Sequence, residues 1–169
     1  MKNFYLKQKV FSFKDRYKVY DENEQLVYHC EGKMFSFRQP IKIIDSTTNE
    51  HLFTLSKKVF TFLPTYYLMN TNGIIIGTLK KEMKFLKHSV EIDVDGIGLI
   101  TIEGNLFAHT FTAKQNDEII MTVQKKLFSL GDAYEITIDE TLVDVPLMIA
   151  VSIMIDHMLH NESKRSNNR

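Results

Sequence analysis

The chain has 169 residues, of which 44% are hydrophobic and 25% charged, which is enough to build the core of one ordinary globular domain. Lysine plus arginine number 21, as do aspartate plus glutamate, so the net charge is zero and no overall basic excess exists to drive nucleic-acid binding. The single cysteine, Cys30, excludes a disulfide framework and a multi-cysteine zinc site.

A short motif, a lysine followed by an aromatic-rich stretch, recurs through the whole chain. Six copies occur: KVFSF at Lys9, KMFSF at Lys33, KVFTF at Lys58, the degenerate KEMKF at Lys81 and NLFAH at Asn105, and KLFSL at Lys126. Their starts are separated by 21 to 25 residues. A near-constant interval of this size indicates a repeated supersecondary element.

The residues after each motif predict a strand that runs back along the previous one. Tyr17, Ile41, Tyr66 and Tyr134 each lie eight positions after a motif lysine and open a period-two alternation of apolar residues. Polar turns, such as DENEQ at 21–25 and NTNG at 70–73, separate one unit from the next. Each unit therefore reads as a long strand, a tight turn and a shorter return strand, and six units make about twelve antiparallel strands.

The period-two alternation of apolar residues changes phase beside the lysine motifs. In EIIMTVQKKLFSL, apolar residues fall at 119, 121 and 123, and then at 127, 128 and 130. A β-bulge shifts the phase in this way. Lysine stems lying along an apolar face give the same pattern, so the sequence leaves both explanations open.

The alternation ends after Ile138, and residues 142–163 read as a helix. Asp144 is the predicted N-cap, Pro146 suits the first turn, and Lys164 and Arg165 follow the predicted C-terminal end. Between residues 145 and 155 the only polar side chain is Ser152. A helix that is apolar on every side must be enclosed on every side.

A closed barrel encloses a helix completely and leaves no free sheet edge. The eight large apolar side chains of residues 145–155 are worth on the order of 12–24 kcal/mol when fully buried, and about half of that on a one-sided surface. We therefore predict a closed antiparallel barrel of about twelve strands around the C-terminal helix. It forms a single domain over residues 1–162, and 163–169 are predicted to be a polar disordered tail.

Targeting signals are not predicted. The N-terminus contains Lys2, Lys7, Lys9 and Lys14 and no continuous apolar stretch typical of a signal peptide. The apolar segment 145–155 is much shorter than the roughly 20 residues that span a bilayer. We expect a cytoplasmic protein, either free or peripheral to a membrane.

The K-[VML]-F-[ST]-[FL] motifs, the tyrosine-bearing return strands and the terminal apolar helix resemble the LURP-one-related family. The similarity extends over about residues 3–160, and KKLFSLGDAYEITI followed by the helix is its most specific part. The resemblance implies the tubby-like C-terminal fold, in which a twelve-stranded barrel surrounds a hydrophobic helix. It also implies kinship with tubby domains, which bind phosphoinositide head groups, and with phospholipid scramblases.

Candidate catalytic and metal-binding residues are few. Cys30 and His29 are neighbours on a predicted strand, so their side chains point to opposite faces and do not form a nucleophilic pair.

His157 and His160 have metal-ligand spacing on the helix, but a polar helix end explains them better. His109 shares the apolar phase of its strand and reads as a core residue. Gly96 and Gly98 indicate a turn, and its Asp93 and Asp95 lack the full spacing of a calcium loop. We predict no catalytic residue, metal or cofactor.

Charge is distributed unevenly along the repeat. The turns between units and their flanks contain eleven acidic residues: Asp21, Glu22, Glu24, Asp45, Glu50, Asp93, Asp95, Asp117, Glu118, Asp139 and Glu140. The motif side contains eleven basic residues: Lys9, Lys14, Arg16, Lys33, Arg38, Lys57, Lys58, Lys84, Lys87, Lys125 and Lys126. An antiparallel meander gathers these two sets at opposite ends of the barrel. The basic end is either an ordinary solvated rim or a surface for an anionic partner.

These features predict a non-enzymatic binding module that recognises an anionic ligand, an acidic phospholipid or a membrane surface. The candidate ligand-binding residues at the basic end are Lys57, Lys58, Lys84, Lys87, Lys125 and Lys126. The alternative is a structural or protein-interaction module with a protein partner. No nucleic-acid partner is expected.

Overall fold

The structure is a computed structural model that describes residues 1–8, 17–32, 40–58, 61, 65–81, 89–105, 110–126 and 133–166. These residues form twelve strands and one helix. The strands are β1 Lys2–Gln8, β2 Tyr17–Tyr20, β3 Leu26–Glu31, β4 Ile41–Asp45, β5 His51–Lys57, β6 Thr65–Met69, β7 Ile75–Lys81, β8 Val90–Val94, β9 Gly98–Asn105, β10 Thr110–Gln115, β11 Glu118–Lys126 and β12 Ala133–Ile138. The helix, α1, is Val145–Ser166.

The strands close into an antiparallel barrel in which each strand pairs with its neighbours in the chain. Closure is made by the first and last strands, since Lys2 lies opposite Ile138 and Lys7 lies opposite Ala133. Long strands of six to nine residues alternate with return strands of four to six. The predicted closed barrel of six hairpin units is confirmed.

The two ends of the barrel differ in their connections. The predicted polar turns all lie at one end, which we call the inter-unit end. The described first residues of the motifs, Lys58, Lys81, Asn105 and Lys126, lie at the other end, which we call the anchor end. At the first turn, Asp21 Oδ1 accepts hydrogen bonds from the backbone N–H of Asn23 (2.9 Å) and Gln25 (2.8 Å). The Asn70 side chain does the same for Asn72 and Ile74. These are Asx turns, in which the side chain replaces a backbone hydrogen-bond acceptor.

Register shifts of the strands lie beside the inter-unit turns. One of them falls between Val19 and Tyr20 on the β2–β3 pair, and equivalent shifts occur on the β4–β5, β6–β7 and β10–β11 pairs. By contrast, β11 and β12 keep an unbroken register from Met121 to Lys126. The bulge or lysine-stem alternatives proposed for KLFSL concern residues 127–130, which lie outside the described residues. The predicted tight turns after the motifs lie outside them as well.

Helix α1 fills the barrel from the inter-unit end to the anchor end. Asp144 is its N-cap, because its Oδ1 accepts a hydrogen bond from the Leu147 N–H (2.8 Å). All residues from Leu147 to Asp156 are buried, and so is Met158. The hydroxyl of Ser152 donates to the Met148 carbonyl oxygen (2.9 Å), so this buried polar group is satisfied within the helix. The predicted enclosure of the helix is confirmed.

The helix ends differ from the prediction. It begins at Val145 and ends at Ser166, whereas the sequence predicted 142–163. Lys164 and Arg165 therefore lie within its last turn, where cations interact favourably with the helix dipole. The predicted tail of 163–169 is correspondingly shorter, since 163–166 are helical; residues 167–169 lie outside the described residues.

Two glycines allow close contact between strands near the anchor end. Gly104 has a φ of +137°, and a Cβ placed on it would lie 2.6 Å from the Thr110 carbonyl oxygen. Gly32 has the same φ, and its Cβ would lie 2.7 Å from the Pro40 carbonyl oxygen. Neither site accepts a side chain without moving the neighbouring backbone.

Candidate functional site

The described members of the predicted lysine site lie at the anchor end. Lys57 is half-buried, with its Nζ 5.7 Å from the centre of the Tyr66 ring. Lys58 is exposed, and its Nζ lies 5.8 Å from the centre of the Tyr67 ring. Lys125 is half-buried and Lys126 is exposed. Lys84 and Lys87 lie outside the described residues, as do Lys9, Lys14, Arg16, Lys33 and Arg38.

The structure does not bring these lysines together in one site. Lys57 and Lys58 are at the end of β5, whereas Lys125 and Lys126 are at the end of β11. Strands β5 and β11 are six positions apart in a ring of twelve, so they lie on opposite walls of the barrel. The two pairs therefore share the anchor end, where the basic end was predicted, but they lie on opposite walls of it. Their role in ligand binding stays a prediction.

A different set of cations is aligned across the outer wall near the anchor end. Lys126 lies opposite Ala133, Ala133 lies opposite Lys7, and Lys7 lies opposite Lys18. These four residues lie side by side at one height of the barrel, on the consecutive strands β11, β12, β1 and β2. In each strand they belong to the outward-facing residues, which alternate with the inward-facing core residues. Adjacent strands are about 4.8 Å apart, so Lys126 and Lys18 are separated by about 14 Å. We call Lys126, Lys7 and Lys18 the lysine row.

The members of the lysine row differ in how their charge is held. Lys126 is ion-paired with Glu135, and this hydrogen bond raises the pKa of the Lys126 ammonium. Lys7 Nζ lies 4.7 Å from the centre of the Tyr20 ring, which holds the ammonium by a cation–π contact without neutralising it. The small side chain of Ala133 separates the two lysines. An anion approaching the row therefore meets Lys7 and Lys18 as its principal cations.

His29, on β3, lies opposite Lys18 and therefore at the same height of the barrel as the lysine row. Its Nδ1 is 2.8 Å from the Ser46 hydroxyl, and its Nε2 is 4.0 Å from Glu31. Cys30, the next residue, is buried and faces the core. The two side chains point to opposite faces of the sheet, as expected for neighbours on a strand.

The inter-unit end has the opposite charge. All eleven predicted acidic residues lie in or beside the inter-unit turns, and Asp144 joins them. Among the described residues the lysines at this end are Lys2 and Lys114, and Lys114 is ion-paired with Glu103 at 3.4 Å. The barrel is thus electrically polar although its net charge is zero.

Metal-binding geometry is absent from the part of the chain that the structure describes. That part holds no group of three or more His, Cys, Asp or Glu side chains able to bind a metal ion. His109 and the side chains of His157 and His160 lie outside it. In that part of the chain, no helix is long and apolar enough to cross a membrane.

Comparison with known proteins places this architecture in a family. The model of the LURP-one-related family matches residues 2–156, from the first residue of β1 into the buried part of α1. The chain belongs to the LURP-one-related family. The resemblance drawn from the lysine motifs is therefore confirmed over the barrel and the part of the helix up to residue 156.

Two relatives of this LURP-one-related chain illustrate the match. The uncharacterised protein YxjI of Bacillus subtilis is 31% identical over 166 residues, covering 98% of this chain and 99% of its own. The X-ray structure of a protein from Arabidopsis thaliana superposes with a TM-score of 0.62, covering 92% of this chain and 91% of that one. Its identity is 12%, so the likeness concerns the fold.

Sequence reasoning missed Lys7 and Lys18 as candidate site residues. Both occupy polar positions in alternating strands, so the sequence does indicate that they face outward. Their alignment with Lys126 depends on the pairing of β1 with β12, which joins residues more than 120 positions apart. No local pattern reports the register of such a long-range pair.

Proposed function

We propose that this LURP-one-related protein is a non-enzymatic binding module that recognises a phosphate-bearing anionic surface, with acidic phospholipid as its partner, through the lysine row. The observation that supports this most is the direct opposition of Lys7 and Lys18 on neighbouring strands. The resemblance to tubby domains, which bind phosphoinositide head groups, points to the same chemistry.

Like charges directly opposite each other on a sheet destabilise it, by up to about 1 kcal/mol. The arrangement of Lys7 and Lys18 therefore favours the bound state, in which an anion between the two ammonium groups removes their repulsion. Tyr20 holds Lys7 in place while leaving its charge available. Lys7 and Lys18 are on adjacent strands about 4.8 Å apart, so one phosphate group can interact with both ammonium groups.

The opposite charges of the two barrel ends also predict how the protein is oriented on an acidic membrane. The carboxylates of the inter-unit end are repelled by an anionic surface, while the anchor end is attracted to it. The protein is therefore expected to approach an acidic membrane with the anchor end and the adjoining wall. Each lysine that reaches the surface contributes about 1 kcal/mol to binding.

Vesicle flotation tests this proposal. Wild-type protein is mixed at low salt with phosphatidylcholine vesicles or with vesicles that also contain phosphatidylglycerol. The test variant is Lys7→Gln/Lys18→Gln, and the matched control is Lys2→Gln/Lys114→Gln, which removes two lysines from the inter-unit end. Titration calorimetry with pyrophosphate forms a separate arm, which distinguishes a soluble phosphate ligand from a lipid surface.

We expect the wild type and the control to float with the acidic vesicles only, and the Lys7→Gln/Lys18→Gln variant to lose about 2 kcal/mol of binding, or roughly 30-fold in partitioning. Equal recovery with neutral and acidic vesicles would contradict the proposal. If both double variants lost the same amount of vesicle binding, the lysine row would have no specific role and would be ordinary solvated surface. Tight pyrophosphate binding without flotation would assign the row to a soluble ligand.

A further inference from the structure

Large apolar side chains are exposed at one end of the barrel. In the described part of the chain, five aliphatic residues are between 44% and 58% exposed: Ile74, Ile75, Leu99, Ile119 and Leu142. All five lie at the inter-unit end, and we call them the aliphatic arc. Met1, also exposed, precedes β1 at the same end.

The aliphatic arc follows half of the barrel's circumference. Ile74 precedes β7 and Ile75 is its first residue. Leu99 and Ile119 are the second residues of β9 and β11, and Leu142 follows β12. Strands β7 to β12 are consecutive in the barrel, so alternate strands, about 10 Å apart, carry the arc. Scattered single exposed apolar residues are ordinary, but grouping at one end indicates an interaction surface.

Carboxylates alternate with these side chains. Asp93 lies directly opposite Leu99, and Glu118 precedes Ile119 in β11. Asp95 donates its backbone N–H to the Ile76 carbonyl oxygen (2.7 Å), which places it beside the start of β7. Lys114 lies opposite Ile119, but its charge is engaged by Glu103.

We propose that the aliphatic arc binds a cationic amphipathic segment of a partner protein, such as a helix with one apolar face bordered by lysine and arginine. The apolar face packs against the arc, and the cations meet the interleaved carboxylates. This proposal goes beyond the proposed lipid-binding function, because it concerns the opposite end of the barrel and a different class of ligand.

Two other occupants fit less well. An acidic membrane would bury the aliphatic side chains, but it would be repelled by the carboxylates between them. A second copy of this chain could offer the lysine row, but the described residues around that row expose no large apolar side chain to pack against the arc. A cationic partner with its own apolar face satisfies both the charge and the hydrophobic requirement.

Fluorescence anisotropy with two labelled peptides tests the proposal. Both peptides have about 14 residues, or roughly 21 Å of helix, and the same leucine and lysine content. In one, leucines recur at helical spacing; in the other, the order is permuted so that no face is apolar. The test variant is Leu99→Gln/Ile119→Gln, and the control is Asn23→Gln/Thr47→Gln, which alters exposed residues of the same end outside the arc. Sedimentation velocity reports the oligomeric state.

We expect the amphipathic peptide to bind wild type and control at least tenfold more tightly than the permuted peptide. We expect the arc variant to lose this preference while vesicle flotation is unchanged. Equal affinity for both peptides, or an unchanged preference in the arc variant, would overturn the proposal. A wild-type dimer that the arc variant converts to monomer would overturn it in favour of a second copy, and loss of flotation in the arc variant would overturn it in favour of a membrane.

Discussion

The phenol of Tyr17 donates a hydrogen bond to the carboxylate of Asp156 in the interior of the barrel. Tyr17 opens β2 at the anchor end, and Asp156 lies on the buried part of α1. The contact joins residues 139 positions apart and connects the barrel wall with the helix that fills it. The anchor-end level of the core is therefore held by a specific polar contact as well as by apolar packing.

Tyr17→Phe is expected to destabilise the fold by about 1–3 kcal/mol, because the buried Asp156 carboxylate loses this donor. In Tyr17→Phe/Asp156→Leu both partners are apolar, and most of the loss is expected to be recovered. Urea unfolding followed by circular dichroism measures both effects. A Tyr17→Phe variant as stable as the wild type would show that the hydrogen bond contributes nothing to stability.

Alkaline pH is expected to weaken the fold through the same residue. Burial, and then the charge of Asp156, raise the pKa of Tyr17 well above its usual value of 10.0. Above pH 10 the unfolded chain releases this proton while the folded chain retains it, so the free energy of unfolding falls by up to about 1.4 kcal/mol per pH unit. Below pH 10 the contribution is constant.

Unfolding midpoints between pH 8 and pH 11 measure this dependence, with Tyr17→Phe as the control. Tyr28 also has a raised pKa, from burial and then from Asp45, so the control is expected to keep a shallower decline. Parallel curves for the two proteins would contradict the assignment to Tyr17.

Val151→Asp is expected to prevent folding, because an unpaired charge inside the barrel costs several kcal/mol against a total stability of about 5–15 kcal/mol. Leu142→Asp, at an exposed position, is the control and is expected to fold. Thermal melts of both variants provide the measurement. A cooperatively melting Val151→Asp protein would show that the helix is not enclosed.

Gly104→Ala is expected to cost about 1–3 kcal/mol or more, since the new methyl group meets the Thr110 carbonyl oxygen and the φ of +137° strains any side chain. Gly73→Ala is the control: its φ of +77° is also unfavourable, but no atom lies within 4 Å of the added Cβ. The difference in their urea midpoints measures the steric contact together with the greater backbone strain at a φ of +137°. Equal midpoints would exclude it.

Lys18→Glu is expected to move stability and binding in opposite directions. The substitution replaces repulsion across the β1–β2 pair with attraction to Lys7, which raises stability by a few tenths of a kcal/mol. It also removes a cation from the lysine row and is expected to lower partitioning onto acidic vesicles at least fivefold. A purely structural role for Lys18 predicts unchanged flotation.

The barrel and its helix could be predicted because each local pattern pointed to the same architecture. The six lysine motifs gave the number of hairpins, and the apolar stretch from Leu147 to Ile155 required enclosure. Asp144 was recognisable as an N-cap from its place before Pro146. The end of the helix was missed by three residues, because polar residues such as Asn161 and Ser163 occur in last turns as well as in tails.

The candidate site was harder to predict because it depends on register. Lys57 and Lys125 occupy equivalent places beside their motifs and share the anchor end, but β5 and β11 are six positions apart in the barrel. Lys7 and Lys18 come from the first unit and join Lys126 of the last only through closure. Sequence alternation assigns a residue to a face, but the identity of its lateral neighbours follows from long-range pairing.

The pairing of β1 with β12 also determines when this chain can fold. Strand β1 has one unpaired edge until β12 has been synthesised. The apolar helix α1, which fills the barrel, follows β12 in the chain and is synthesised later still. Such distant contacts are slow to form, and the incomplete sheet exposes edges that other chains can join. We therefore expect the barrel to close only after β12 and α1 have been synthesised, and the incomplete sheet to be prone to aggregation until then.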